Sequence, residues 1–252
     1  MPAGSSLYEN PVRPTSVHGG SRIFAQVAYR TVRQAQTCPV VHTEGLRLAA
    51  LYPICWLAGG GRPALIALRS LRTDGVGHPP GIAATPSALP LALQAYPFVI
   101  GRDAVPDAVR GDGAGMMLDD VIADEPTDVG APILTPQGKL TRGAEVRLQA
   151  AAAFTNGLEF TEALTDALVA EECLERWQID PAALPQEASV PDLLVIAPAE
   201  RVAARLFQVV RRLGASAGTF ISAHRISLFR ISVLVQAAKR TNSSLKHAVG
   251  QR

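Results

Sequence analysis

The chain has 252 residues, 48% apolar and 18% charged, with 24 basic and 22 acidic side chains giving a formal charge of +2. That balance excludes a wholly disordered chain and a generally basic nucleic-acid binder, so no nucleic-acid partner is expected. No apolar run has the length of a membrane span: the best, Thr219 to Ala238, is broken by His224, Arg225 and Arg230. Met1 to Pro14 lacks the charged-then-apolar layout of a signal peptide, which predicts a cytoplasmic location. Three cysteines, Cys38, Cys55 and Cys173, are an odd number without metal spacing and fit a reducing compartment.

Residues 1–22 mix Pro, Gly, Ser and charge without apolar periodicity and read as a mobile arm. From Ile23 to Val41 the pattern tightens, and Thr37-Cys38-Pro39 stops any helix begun there. Two apolar runs follow, Leu46 to Leu57 and Pro63 to Leu71, split by Gly59-Gly60-Gly61, which predicts a β-hairpin with largely buried strands. Four prolines keep His78 to Pro90 extended or turning. A third apolar run, Leu91 to Ile100, carries Tyr96-Pro97-Phe98. Residues from Arg102 to Gly138 are acidic and rich in Gly and Pro, a surface loop with one short strand expected around Met116 to Leu118.

Thr141 to Trp177 has helical spacing, with Val146, Phe154, Leu158, Ala163, Leu164 and Leu168 on the apolar face and Asn156-Gly157 as a candidate break. A proline-containing linker spans Ile179 to Pro191. Pro198 to Leu213 is the clearest helix, with Val202, Leu206, Val209 and Leu213 at three- and four-residue steps before Gly214. A second helix is predicted from Phe220 to Ala238, then a polar tail over residues 241–252. The domain itself is expected over residues 23–240. The fold class is α+β, a single domain with a strand-rich N-terminal half and a helical C-terminal half.

Charge is placed unevenly. Nineteen of the 22 acids lie between Asp103 and Glu200, and ten basic residues but no acid follow Glu200. Arg201, Arg205, Arg211, Arg212, Arg225 and Arg230 could form a face that binds an anionic membrane surface, nucleic acid or an acidic partner, and pairing with the chain's own acidic segment or simple solubility is the plainer account.

Sequence-local catalytic patterns are absent. No H-x-x-x-H, C-x-x-C or G-x-S-x-G occurs, and neither the Gly59 run nor Gly111, Gly113 and Gly115 form a phosphate-binding motif. Asp119, Asp120, Asp124 and Asp128 lack the spacing of a calcium loop and read as solvated. Glu171 and Glu172 read as a solvated helix face. His224, with Phe220 and Leu228 four residues to either side, falls in an apolar stripe and reads as a buried histidine bonded to a backbone group or carboxylate. It is also the one candidate catalytic residue. No metal site and no cofactor are expected.

Several segments carry a family resemblance. Ala50-Leu51-Tyr52-Pro53-Ile54, Pro63-Ala64-Leu65-Ile66-Ala67-Leu68 and Ala95-Tyr96-Pro97-Phe98 resemble, in order, the "YPI", "P-V-A-L-x-G-L" and "R-Y-P-F" segments of the bacterial SapC family. Leu134 to Thr141 is similar to its "L-F-D-x-x-G-x-P-T" turn, and Ala223-His224-Arg225-Ile226-Ser227-Leu228 to its closing "A-H-L-x-S-L". The resemblance spans about Thr37 to Leu234. The chain departs from the family where His78 follows Gly77 in place of tryptophan, where Gln94-Ala95 replace arginines, and at Arg225, where leucine is usual.

The family takes its name from a protein tied to a paracrystalline surface layer, and many members are encoded beside flavin-dependent tryptophan halogenases and outer-membrane receptors. The resemblance implies a non-enzymatic, surface-layer-associated or accessory interaction protein, with a protein partner or self-association and a place at the cell surface. His224 is the candidate functional histidine, and Tyr96, Phe98, Arg225 and Arg230 are candidate binding residues. The alternative is a cytoplasmic accessory factor or metal-dependent enzyme in tryptophan or peptide modification, with His42, His78 and His224 converging.

Overall fold

The computed structural model describes residues 7–13, 22–59, 61–73, 88–100, 117–126, 128–185 and 188–249. Short strands β1 (Pro11–Val12) and β2 (Arg22–Ile23) precede a small helix α1 (Arg30–Gln34), strand β3 (Thr37–Pro39) and helix α2 (Gly45–Ala49). β4 (Ile54–Leu57) and β5 (Ala64–Leu68) form the predicted hairpin. Then come α3 (Leu91–Ala95), β6 (Leu118–Asp119), β7 (Ala131–Pro132), the long helix α4 (Arg142–Ala170), β8 (Leu174–Arg176) and β9 (Leu193–Ile196). Helices α5 (Ala199–Leu213), α6 (Ala215–Ser227) and α7 (Ile231–Val249) follow. The class is α+β, strand-rich first and helical later.

β3, β5, β4, β9 and β8 make one five-stranded antiparallel sheet in that order, while β1 pairs with β6 and β2 with β7. Side chains alternate across the large sheet, as pleating requires. Ile54, Trp56, Leu65, Ala67 and Ile196 face Leu164 and Leu168 of α4, Val202 and Leu206 of α5, and Phe220 of α6. Cys55, Ile66, Leu68, Leu193 and Val195 face the other way, against Leu71 and against Leu234 and Ala238 of α7. Covering on both faces explains why β4 and β5 read as continuous apolar runs. Each such Leu, Ile or Phe withdrawn from water contributes roughly 1.5–3 kcal/mol.

Several expectations need correcting. The run from Leu46 begins as helix α2 and becomes strand only at Ile54, and Leu91–Ala95 is helical, so the described part of residues 40–100 holds two α-helices besides the hairpin. Part of the expected arm is packed: Leu7 is buried and Tyr8 stacks on Tyr96. Residues 14–21 lie outside the described residues, as do residues 74–87, with His78 and most of the proline-rich stretch, and residues 101–116, with Gly111, Gly113 and Gly115. The expected strand near Met116 to Leu118 lies at Leu118–Asp119.

α4 is capped by Thr141, whose hydroxyl accepts the Ala144 N–H, and runs unbroken through Asn156-Gly157. Gly157 is needed for contact rather than for a break, since a Cβ there would lie 2.8 Å from Val41 Cβ. Val146 and Ala163, expected on the apolar face, point outward. α4 stops where Glu172 takes a left-handed φ of 48°, and the Cys173 and Glu172 N–H groups return to the Leu168 and Val169 carbonyls. Glu171 and Glu172 therefore sit in a turn, and residues 174–176, expected as helix, form strand β8. Gly214, at φ +82°, separates α5 from α6. The expected polar tail continues α7 as helix to Val249.

Candidate functional site

Tyr96 and Phe98 are both fully buried. The Tyr96 hydroxyl donates to Asp119 Oδ2 at 2.7 Å, and its ring stacks on Tyr8 and meets Tyr29 edge-on. Asp119 Oδ1 accepts the Asn10 N–H at 2.6 Å and the Glu9 N–H at 3.1 Å, which anchors β1. Arg147, reaching in from α4, donates to the Tyr96 carbonyl at 3.0 Å and to the Phe24 and Gly143 carbonyls. Burial, then the bond to Asp119, drives the Tyr96 phenol far above its ordinary pKa. Phe98 packs with Ile23, Leu118, Ile133, Ala144 and Leu148. The Tyr-Pro-Phe segment thus closes a core that joins four distant stretches of chain. Asp119, read in the sequence as one of a solvated set, is buried at its centre; nothing local distinguishes it from Asp120.

His224 is fully buried on the inner side of α6. Its Nδ1–H donates to the Ile54 carbonyl at 2.8 Å, and Nε2 accepts the Ile196 N–H at 3.1 Å. The β4–β9 ladder pairs Trp56 with Leu194 and Leu57 with Leu193. Continued by two residues, that register sets Ile54 opposite Ile196. The imidazole therefore takes the next rung, bridging two strands where their own bonding ends. Ser227 completes it, accepting the Ile54 N–H at 2.9 Å and donating to the His224 carbonyl at 2.6 Å. The ring also lies against Trp56, whose Nε1–H bonds Thr165 Oγ1. Burial lowers the His224 pKa to about 4, so the ring is neutral near pH 7 with both nitrogens engaged.

The other side of α6 and of the 3-10 turn after it, Leu228–Arg230, faces outward. Ile226 is 62% exposed and Phe229 80% exposed. Arg225 and Phe229, like Ile226 and Arg230, are four residues apart, and Ile226 and Phe229 three apart, so the four form one patch where α6 meets α7. Arg225 donates to the Ala197 carbonyl at 3.1 Å, a neutral partner that leaves its charge unbalanced. The sequence allowed for pairing of the basic end with the acidic segment. Arg201 and Arg205 do pair, with Glu175 and Glu172. Among the described residues, no acid pairs with Arg211, Arg212, Arg225 or Arg230.

His42 lies between α2 and α4 with its ring on Phe160. Thr161 Oγ1 gives its proton to the Gly157 carbonyl at 2.6 Å, so at 3.1 Å His42 Nδ1 is the donor and Nε2 keeps its lone pair. Burial lowers its pKa. Two residues on, buried Glu44 accepts the N–H groups of Leu91 (2.7 Å) and Val41 (3.1 Å) and pairs with Arg47 at 2.8 Å. Burial pushes Glu44 up to about pKa 7 against the pull of those partners. Among the described residues no three His, Cys, Asp or Glu side chains gather as a metal site would require, and no helix is long and apolar enough to cross a membrane.

The molecule is thus an α+β protein in which the quoted motif segments 50–54, 63–68 and 95–98 send Tyr52, Ile54, Leu65, Leu68, Tyr96 and Phe98 into the core. The SapC family model matches residues 15–203, most of the chain, and the chain belongs to the SapC family. No curated protein and no solved structure matches it. The matched span starts before the quoted motifs and ends within α5, so the segment at Ala223 to Leu228, with His224 and Ser227, lies beyond it.

Proposed function

We propose that this chain is a non-enzymatic interaction protein, associated with the cell envelope or its surface layer, that makes contact through the elbow between α6 and α7. The observation that carries this reading is the two-sided helix. His224 and Ser227 hold its inner face to the ends of β4 and β9, while Ile226 and Phe229 stand in solvent between two arginines. A rigidly seated helix with exposed large apolar side chains is what a docking surface needs, because little ordering entropy remains to be lost on contact.

The test is made in the native host, by fractionating cells that carry either the wild-type chain or Ile226→Ser/Phe229→Ser, and by treating intact cells with protease. Retention of the wild type in the envelope and release of the variant into the soluble fraction is the expected result. Equal distribution of two equally folded chains refutes the elbow as the contact.

A second reading, an accessory factor or metal-dependent enzyme, draws on His42, whose Nε2 lone pair is set by the Thr161 bond. Metal analysis of native protein tests it: a deliberate site fills near one ion per chain, and His42→Ala would lower that occupancy.

A further inference from the structure

From Arg201 onward the chain has ten basic residues and no acid; Arg201 and Arg205 pair with Glu175 and Glu172, and among the described residues no acid pairs with Arg211, Arg212, Arg225 or Arg230. Ile226 and Phe229 stand exposed at this basic end, where α6 meets α7. Among the described residues, the acidic stretch packs at the other end of α4 from the elbow. Its flanking residues Leu118 and Ile133 pack on Ala144 and Leu148 near the start of α4, whereas α6 packs with Leu164 and Leu168 near its end. Leu148 and Leu164 are about 24 Å apart along the helix at 1.5 Å per residue. Among the described residues, the exposed apolar pair stands beside two arginines, Arg225 and Arg230, that no acid pairs with.

We infer that the partner of this elbow is an anionic lipid surface, with Phe229 and Ile226 entering the interfacial layer and Arg225 and Arg230 held at the headgroup phosphates. The inference rests on the proposed contact face and names what it touches. A protruding aromatic–aliphatic pair flanked by arginines matches a bilayer interface, which supplies apolar depth and negative charge together. The acid-free end supports it at longer range, since Arg211 and Arg212 add charge that no carboxylate among the described residues pairs with. An acidic protein would satisfy the charges but would need a pocket of its own shaped for Phe229, whereas a bilayer interface takes up the exposed pair without one. The attachment is peripheral, because no described helix can cross a bilayer.

The experiment is co-sedimentation of the full chain with phosphatidylglycerol–phosphatidylcholine vesicles and with pure phosphatidylcholine vesicles. Binding is expected to the anionic vesicles alone, and about 0.5 M salt should release it, since the Debye length falls from about 10 Å at 0.1 M toward 3 Å at 1 M. Arg225→Glu/Arg230→Glu should weaken partitioning by about a hundredfold or more. Ile226→Ser/Phe229→Ser should weaken it by about tenfold while leaving the salt dependence in place. Failure of the wild-type chain to sediment at low salt overturns the inference, as does undiminished binding of the serine variant. Concentration-dependent self-association abolished by the same serines, without vesicle binding, overturns it in favour of a second copy of the chain. If the host retains the protein in its envelope while vesicles do not bind it, the contact face stands and the lipid assignment falls.

Discussion

Two polar clamps sit near opposite ends of α4, and they are built on different chemistry. At the N-terminal end, Asp119 gathers the Tyr96 hydroxyl and the N–H groups of Glu9 and Asn10, with Arg147 close by on the Tyr96 and Phe24 carbonyls. At the C-terminal end, neutral His224 and Ser227 satisfy two backbone groups of Ile54 and one of Ile196. A carboxylate accepts from several directions and can collect segments that share no secondary structure. An imidazole has one donor and one acceptor on opposite sides of a flat ring, which suits the gap between two diverging strands. The first clamp therefore fixes where the chain goes, and the second fixes how a helix sits on a sheet.

The charged clamp should be the more costly to break. Asp119→Ala leaves a buried hydroxyl and two backbone N–H groups unsatisfied, and its expected cost is about 4 kcal/mol in urea unfolding. Limited proteolysis should then cut first around residues 7–12, which lose their anchor. Asp119→Asn should cost nearly as much, because an amide has one acceptor oxygen for three donors. If Asp119→Asn is no worse than His224→Gln, the contrast between the clamps is broken.

The neutral clamp should cost about 3 kcal/mol on His224→Ala, which orphans the Ile54 carbonyl and Ile196 N–H, and less on His224→Gln, which can still donate and accept. It should also respond to acid. With an ordinary pKa of 6.5 unfolded and about 4 folded, His224 binds protons more readily in the unfolded chain. Its contribution is present above pH 6.5 and is lost as pH falls through 4, on the order of 3 kcal/mol in all. Glu44 runs the other way. Raised from 4.5 to about 7, it favours the folded chain at low pH and loses that contribution as pH rises through 7. The raw pH profile mixes both slopes, so the measurement is the difference between wild type and His224→Gln. That difference should shrink between pH 6.5 and 4, and a constant difference would mean that the ring is not the titrating group.

These clamps were unevenly legible in the sequence. β4 and β5 showed through because a glycine run separates two apolar stretches, and α5 because its apolar residues keep strict helical steps. The same apolar composition hid α2 and α3, since periodicity cannot tell a short buried helix from a strand. β9 lies between Pro191 and Pro198, and its identity depends on pairing with Trp56 and Leu57 far away in the chain. The apolar stripe around His224 pointed to a buried histidine bonded to backbone, but which backbone is a tertiary fact. Tyr96 and Phe98 stood out as a motif, and burial shows them to be core. Asp119 carried no local signal, because its neighbours in sequence have the same chemistry and a different exposure.

Gly157 offers a smaller test of the packing between the clamps. An added Cβ would meet Val41 Cβ and Cγ2 at 2.8 Å, on branched atoms that cannot swing aside. Helix propensity alone would favour alanine by about 1 kcal/mol. Overpacking should win, so Gly157→Ala is expected to destabilise by about 1–3 kcal/mol in urea unfolding. A stabilised variant would show that the 3-10 turn carrying Val41 and His42 can move away from α4.

The smallest effect is expected beside one of the largest, on α6 and the 3-10 turn that follows it. Ile226 and Phe229 are next to His224 and Ser227 in sequence yet face solvent. Ile226→Ser/Phe229→Ser should therefore change folding stability by no more than about 0.5 kcal/mol, although it removes two large apolar side chains. In a core, the same two truncations would cost several kcal/mol through lost transfer energy and residual cavities. Urea unfolding of the double variant beside His224→Ala separates the two faces directly. A penalty above about 2 kcal/mol would mean that the elbow is packed within the folded chain and is no docking surface. Near-neutral stability would leave the exposure of the pair unexplained by folding, which is the condition under which a contact role is needed at all.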